Sequence, residues 1–160
     1  MHDSQGAGPQ RFVIDTMLGR LAHWLRAMGY DAVYLGPAED GRLLSLARAE
    51  SRVLLTRDAK LAQAAGRLGC RIRAEEVDSQ VLETVAKLGL SPDETAWLSR
   101  CLACNTRLES RAKDAVRDAV PPRVFAGHHE FWGCPGCAKV YWAGSHADRI
   151  LDRLARLLRH

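Results

Sequence analysis

Two Cys-x-x-Cys pairs, Cys101/Cys104 and Cys134/Cys137, are separated by 29 residues. Each pair can present two thiolates to one tetrahedral metal, and two pairs complete a closed four-thiolate shell. The flanks, Cys-Leu-Ala-Cys-Asn and Cys-Pro-Gly-Cys-Ala, supply the small and turn-forming residues that let backbone N–H groups point at sulfur. Four protein ligands leave no open position, so the spacing predicts a structural zinc that holds a small ribbon together and does no chemistry. Two disulfides are the competing reading. The first ten residues are polar, with Gly6, Gly8 and Pro9, and lack the apolar core of a secretory signal. They are expected to form a disordered tail, with the chain in the reducing cytoplasm. The fifth cysteine, Cys70, has no obvious mate and is expected to be a buried, inert thiol.

The 160 residues suffice for one good core and one small module. No apolar run approaches the ~18 residues of a membrane span. Net charge is +4. Residues 1–99 carry 12 Lys+Arg against 13 Asp+Glu, giving −1, and residues 100–160 carry 11 against 6, giving +5. Four thiolates on one zinc would lower the second value to +3. The C-terminal part is therefore the expected polyanion contact.

Before the first cysteine pair, short apolar segments alternate with helical periodicity. Strands are expected at 11–15, 32–35, 52–56 and 70–74. Helices are expected from the apolar positions Met17 to Met28, Leu43 to Ala47, Leu61 to Leu68, and Val81 to Leu88. Gly29, Gly69 and Gly89 stand where helices end, and Ser91-Pro92-Asp93-Glu94 has the form of a capping box. Single helices between strands imply right-handed crossovers and a mainly parallel sheet, with the functional crevice beyond the carboxyl ends of the strands. Acids recur at that edge: Asp15 ends the first strand, Asp40 follows the second, Asp58 the third and Asp78 the fourth. Carboxylates gathered in one crevice repel unless a hard cation such as Mg²⁺ or Mn²⁺ joins them, and such a cation suits phosphodiester hydrolysis. Asp15, Asp40 and Asp58 taken singly each also fit a helix N-cap.

The segment from Asp15 to Asp31, Asp-Thr-Met-Leu-Gly-Arg-Leu-Ala-His-Trp-Leu-Arg-Ala-Met-Gly-Tyr-Asp, resembles the opening of the Mut-seven C-terminal RNase family. Leu54-Leu-Thr-Arg-Asp58, both cysteine knuckles and Val140-Tyr-Trp-Ala-Gly-Ser-His146 extend the resemblance over about residues 11–150. It implies an α/β PIN-like domain, placed at 11–95, and a zinc ribbon with a terminal amphipathic helix at 96–160. It also implies acidic Mg or Mn ligands at Asp15, Asp40 and Asp58, with Asp78 the best candidate for a fourth acid, near Gln80. The expected function is a metal-dependent ribonuclease acting on RNA, the ribbon aiding binding. The alternatives are a non-catalytic RNA- or protein-binding adaptor with a vestigial acidic pocket, and a receiver-like phosphoacceptor. The latter lacks its acidic pair and its lysine here. PIN-like domains often pair, which allows a homodimer.

Arg20 and Arg57 are candidate phosphate clamps, with surface or salt-bridging roles equally open. Trp142, with Trp132 and Tyr141, can stack on unpaired bases or pack beside the zinc. His128 and His129 are surplus to a four-thiolate shell. Ser145 is placed to cap a last helix, whose apolar face carries Ile150, Leu151, Leu154, Leu157 and Leu158 and whose arginines lie largely off it.

Overall fold

The computed structural model describes residues 10–159. The expected N-terminal tail therefore falls almost wholly outside the described residues. In order along the chain are β1 (Arg11–Ile14), a 3-10 turn (Thr16–Leu18), α1 (Gly19–Ala27), β2 (Asp31–Tyr34), α2 (Asp40–Glu50), β3 (Val53–Thr56), α3 (Ala59–Ala65), β4 (Gly69–Arg71) and α4 (Val77–Leu88). There follow a 3-10 turn (Glu94–Ala96), β5 (Glu109–Arg111), a 3-10 turn (Lys113–Val116), α5 (Pro122–Gly127), β6 (Phe131–Gly133), β7 (Val140–Trp142) and α6 (Ser145–Leu158). The chain divides into two compact units. One comprises the chain through Leu25 together with Tyr30–Ser91, the other Arg26–Gly29 together with the chain from Pro92 onward.

The first unit is an α/β layer structure built on a four-stranded sheet of order β2-β1-β3-β4, every pairing parallel. Val13 and Leu54 sit in register and are buried with Leu43 and Ala47 of α2 and Leu61 and Ala65 of α3. Alternation sends Phe12, Ile14 and Leu55 to the opposite face, and all three are fully buried. Each such aliphatic or aromatic side chain contributes about 1.5–3 kcal/mol relative to exposure.

The two edges of the sheet differ in chemistry. At the amino edge Arg52, 6% exposed, donates to Asp31 Oδ1 at 2.7 Å, to Glu50 and to the Phe12 carbonyl. At the carboxyl edge the topology changes direction. The β1 chain leaves toward β2 and the β3 chain toward β4, so the crevice between β1 and β3 is the switch point of the sheet.

The second unit contains the three-stranded antiparallel sheet β5-β6-β7. Its small core joins Val116, Val120 and Phe131 with the half-buried Val124, Phe125, Val140 and Trp142. The last turn of α1 contributes to this unit: Arg26 Nη1 donates to the carbonyls of Leu102 and Ala103 at 3.1 and 3.2 Å, and Leu98 N–H donates to Ala27 O at 2.8 Å. No helix among the described residues is long and apolar enough to cross a membrane.

Local details correct the expectations at several helix ends. Gly29 and Gly89 have φ of +90° and +60°, as left-handed helix ends require. At Gly66 the α-helical part of the third helix passes into a 3-10 turn (Gly66–Leu68) that ends at Gly69, which is extended rather than left-handed. Gly69 is required for another reason, since a Cβ there would lie 2.0 Å from Ala62 O, where β4 passes against α3. Ser91 is not a cap. Asp93 takes that role, accepting from Thr95 N–H at 2.9 Å, and the helix it opens is a single 3-10 turn. Ser145 is the first residue of α6, with Gly144 at the cap position.

These contacts set opposite expectations for two alanine substitutions, read from urea unfolding midpoints. Gly69→Ala overpacks the α3–β4 contact and lowers stability by about 1–3 kcal/mol. Gly41→Ala lies in α2 with no atom within 4 Å of the added Cβ, and raises stability by up to about 1 kcal/mol.

Candidate functional site

The parallel register that aligns Ile14 with Leu55 brings the next residues, Asp15 and Thr56, side by side at the switch point. Asp15 N–H continues the ladder by donating to Leu55 O at 3.0 Å. Its carboxylate is held at both ends. Oδ1 accepts from Thr16 N–H at 2.8 Å, and Oδ2 accepts from the Thr56 hydroxyl at 2.7 Å. Thr56 is fully buried, and its Oγ1 also accepts from Asp58 N–H at 3.0 Å. One hydroxyl thus links the acids that follow β1 and β3. Asp58 Oδ1 caps α3 by accepting from Lys60 and Leu61 N–H at 2.8 and 3.2 Å, leaving its second oxygen for a ligand. Asp15 and Asp58 are therefore both caps, and both stand at the carboxyl ends of their strands.

Asp40 and Asp78 stand differently. Asp40 is exposed on the first turn of α2, after Glu39 at the cap position, so it is not itself the cap. Asp78 is half-buried on the first turn of α4. Among the described residues, the carboxylates do not gather three or more ligand atoms within 4.8 Å, as the cysteines do.

The loop between β4 and α4 is tied down by side chains of this unit. Ala74 O accepts from Gln80 Nε2 at 3.0 Å and from Arg57 Nη1. Glu83 accepts from the N–H groups of Arg73 and Ala74 at 2.9 and 3.0 Å. Burial alone would raise the Glu83 pKa, but those N–H groups and Lys87 outweigh it and hold the carboxyl below its ordinary value. Arg57 is thus a loop brace, and Gln80 serves the same loop. Arg20 is exposed on α1.

Thr56 escaped the sequence reading. A threonine at the end of a buried strand looks like an ordinary β-former, and only the strand order reveals that it stands between two acids.

In the second unit the two knuckles are built alike. Asn105 N–H donates to Cys101 O and Ala138 N–H to Cys134 O, each at 2.9 Å. Cys101 N–H donates to Thr106 O at 2.8 Å and Cys134 N–H to Lys139 O at 2.9 Å. The residue after each pair is left-handed, Asn105 at φ 76° and Ala138 at φ 65°. Asn tolerates that conformation, whereas Ala adopts it at a cost of about 1–2 kcal/mol. Gly136 leaves room for the facing knuckle, since a Cβ would lie 2.6 Å from Thr106 Oγ1.

All four sulfurs lie within 4.8 Å of one another. Cys101 Sγ is 3.6 Å from Cys137 Sγ, and Cys104 Sγ is 3.3 Å from Cys134 Sγ. Disulfides need about 2.0 Å, whereas zinc–sulfur bonds of about 2.3 Å set tetrahedral sulfurs about 3.8 Å apart. The donor set fits a metal such as zinc. The titrations agree. The Thr106 hydroxyl, 3.3 Å from Cys104 Sγ, leads the groups that lower that thiol to about 6. At Cys137 the Lys139 backbone N–H favours the thiolate, but desolvation and the three neighbouring sulfurs push the thiol up to about 12. Sulfurs this close cannot all ionise without a cation.

The Tyr141 hydroxyl lies 3.1 Å from Cys101 Sγ, Trp132 pairs across the strands with Tyr141, and Trp142 packs into the small core. These aromatics support the metal-binding unit from inside. His128 and His129 are not among the gathered ligands.

An open parallel sheet with linked acids at its switch point, together with a four-cysteine metal-binding unit, is the architecture that these residues define. A family model described as the Mut7-C RNAse domain matches residues 10–159, and the chain belongs to that family. A human protein named exonuclease mut-7 homolog is 33% identical over 117 residues, 64% of this chain. The matched stretch spans 13% of the human protein's length. No solved structure matches the chain significantly.

Two measurements check the two sites. Thr56→Val keeps the shape but strips Asp15 and Asp58 of their shared hydroxyl, and is expected to cost about 1–3 kcal/mol in urea unfolding, with Thr56→Ser retaining most of the stability. In the second unit, one equivalent of zinc is expected by elemental analysis, and Cys134→Ser abolishes it. Because ligation requires thiolates, retention of zinc by the wild type against a chelator is expected to weaken as pH falls.

Proposed function

We propose that this chain is a metal-dependent ribonuclease with a PIN-like catalytic domain and a structural zinc ribbon that aids RNA binding. The observation that carries this reading is the Asp15–Thr56–Asp58 linkage at the carboxyl edge between β1 and β3. Membership of the Mut7-C RNAse family and the exonuclease named in the human relative support it. On this reading residues 11–95 form the catalytic domain and 96–160 the ribbon.

The chain's own groups have distinct roles. Asp15 is oriented before any ligand arrives, because both of its oxygens already accept hydrogen bonds. Asp58 is fixed by its cap and offers its second oxygen. Asp40 and Asp78 add negative charge on the first turns of α2 and α4 and would complete the ligand sphere through water, which suits Mg²⁺ or Mn²⁺. A divalent cation held there would supply Lewis acidity toward a phosphodiester oxygen. Arg20, exposed at the start of α1, would be available to a phosphate, and the +5 charge of residues 100–160 would attract the rest of the strand.

A binding adaptor with a vestigial acidic pocket is favoured by one observation: the cysteines gather within 4.8 Å and the acids do not. Cleavage of a labelled single-stranded RNA in Mn²⁺ separates the two readings. The nuclease reading expects Asp15→Asn or Asp58→Asn each to lower kcat by at least about a hundredfold, the double variant to add little, and Asp78→Asn to act more weakly. Full activity in Asp15→Asn, or in excess EDTA, leaves the adaptor standing. Product length distinguishes stepwise from internal cutting.

A further inference from the structure

Met17 is 75% exposed, and the only other large hydrophobic side chain comparably open among the described residues is Leu82 at 44%. Single exposed apolar residues are ordinary, so exposure alone says nothing. What distinguishes Met17 is how the residues on either side of it are held. Thr16 Oγ1 donates to Gly36 O at 2.9 Å, Tyr34 Oη donates to Thr16 O at 2.8 Å, and Thr16 N–H donates to Asp15 Oδ1. Leu18, on the other side, is 1% exposed. Gly19 sits against the Tyr34 ring, where a Cβ would approach within 3.0 Å. The 3-10 turn is therefore clamped to the end of β2, with one apolar side chain in solvent two residues from Asp15.

The companion observation is Arg20, exposed and three residues on. In this continuous turn of helix, positions i and i+3 are neighbours. An exposed thioether and an exposed guanidinium one helical turn apart, in the segment that follows Asp15, match the parts of one nucleotide: a flat apolar base and an anionic phosphate. Methionine is unbranched and polarisable and makes favourable sulfur–aromatic contacts without a fixed geometry. It therefore suits a base of any identity.

We propose that Met17 is a substrate-contact residue that packs against one unpaired nucleobase of the RNA at the carboxyl edge of the sheet, with Arg20 toward the adjoining phosphate. This rests on reading that edge as the phosphodiester site. The contact is sequence-tolerant and requires an unstacked base, so it selects single strands over duplexes.

The test uses the full chain and a short single-stranded RNA carrying 2-aminopurine, titrated in Ca²⁺ so that binding is read without relying on turnover. Met17→Ala is expected to weaken binding about two- to tenfold, with an unchanged thermal midpoint, and Met17→Leu to restore most of the affinity. Replacing the nucleotides one at a time by abasic residues should reveal one position at which wild type and Met17→Ala bind equally. Equal affinity of Met17→Ala and wild type for the intact strand would overturn the proposal. So would a loss of the same size on duplex RNA, or one undiminished at every abasic position. Absence of cleavage in Mn²⁺ with this binding pattern intact removes the nuclease reading alone. Cleavage with equal affinities removes the base contact alone.

Discussion

Parallel pairing of β1 with β3 is the constraint on which the first unit depends. Its register sets Val13 beside Leu54 in the core and, one step beyond Ile14 and Leu55, sets Asp15 beside Thr56. A slip of one residue would turn every core side chain to the wrong face, and it would also separate the carboxylate from its hydroxyl. Packing and site geometry are therefore fixed by the same hydrogen-bond ladder. The ends of the sheet divide the labour. Arg52 and its acids close the amino edge, while the carboxyl edge carries Asp15 and Asp58 on either side of the Thr56 hydroxyl.

The second unit solves a different physical problem. One apolar cluster surrounds Phe131, and Ile150 and Leu154 of α6 are also buried, yet small cores commonly need a further staple. Metal ligation by the two like-built knuckles would supply what the core lacks, since ligand binding and folding are coupled in such units. The aromatic residues of β6 and β7 act beside it. One offers a hydroxyl to a sulfur, and another fills the small core.

The fold of the first unit was largely legible because helical and strand periodicities differ and each segment had room for only one. Four parallel strands and four helices follow from residues 11–88, with boundaries off by a few positions. The misplaced caps at Ser91 and Ser145 share a cause: several adjacent residues can cap, and the tertiary structure selects among them. The metal-binding cysteines were readable because their spacing alone encodes geometry. The acids at the sheet edge were readable as a set, but the strand order was not. Without it nothing distinguished Asp15 and Asp58, which share Thr56, from Asp40 and Asp78, which do not. Between the knuckles, β5, α5 and β6 went unread, although Pro122 stands at the first turn of α5 as helix starts prefer. Short elements in a metal-organised unit carry little periodicity.

The last turn of α1 carries a consequence for how such a chain can be divided. Arg26–Gly29 belongs to the second unit although 62 residues of the first, Tyr30–Ser91, separate it from Pro92. Arg26 is 6% exposed and has its guanidinium on the carbonyls of Leu102 and Ala103, and Arg100 Nε returns a bond to Gly29 O at 3.1 Å. A cut anywhere between the two, by gene fusion, by protease or by recombination between relatives, would strand a buried cation without its acceptors. The two units are interleaved in sequence. A version of either unit without the other would have to rebuild the end of α1 so that Arg26 keeps its acceptors or is replaced.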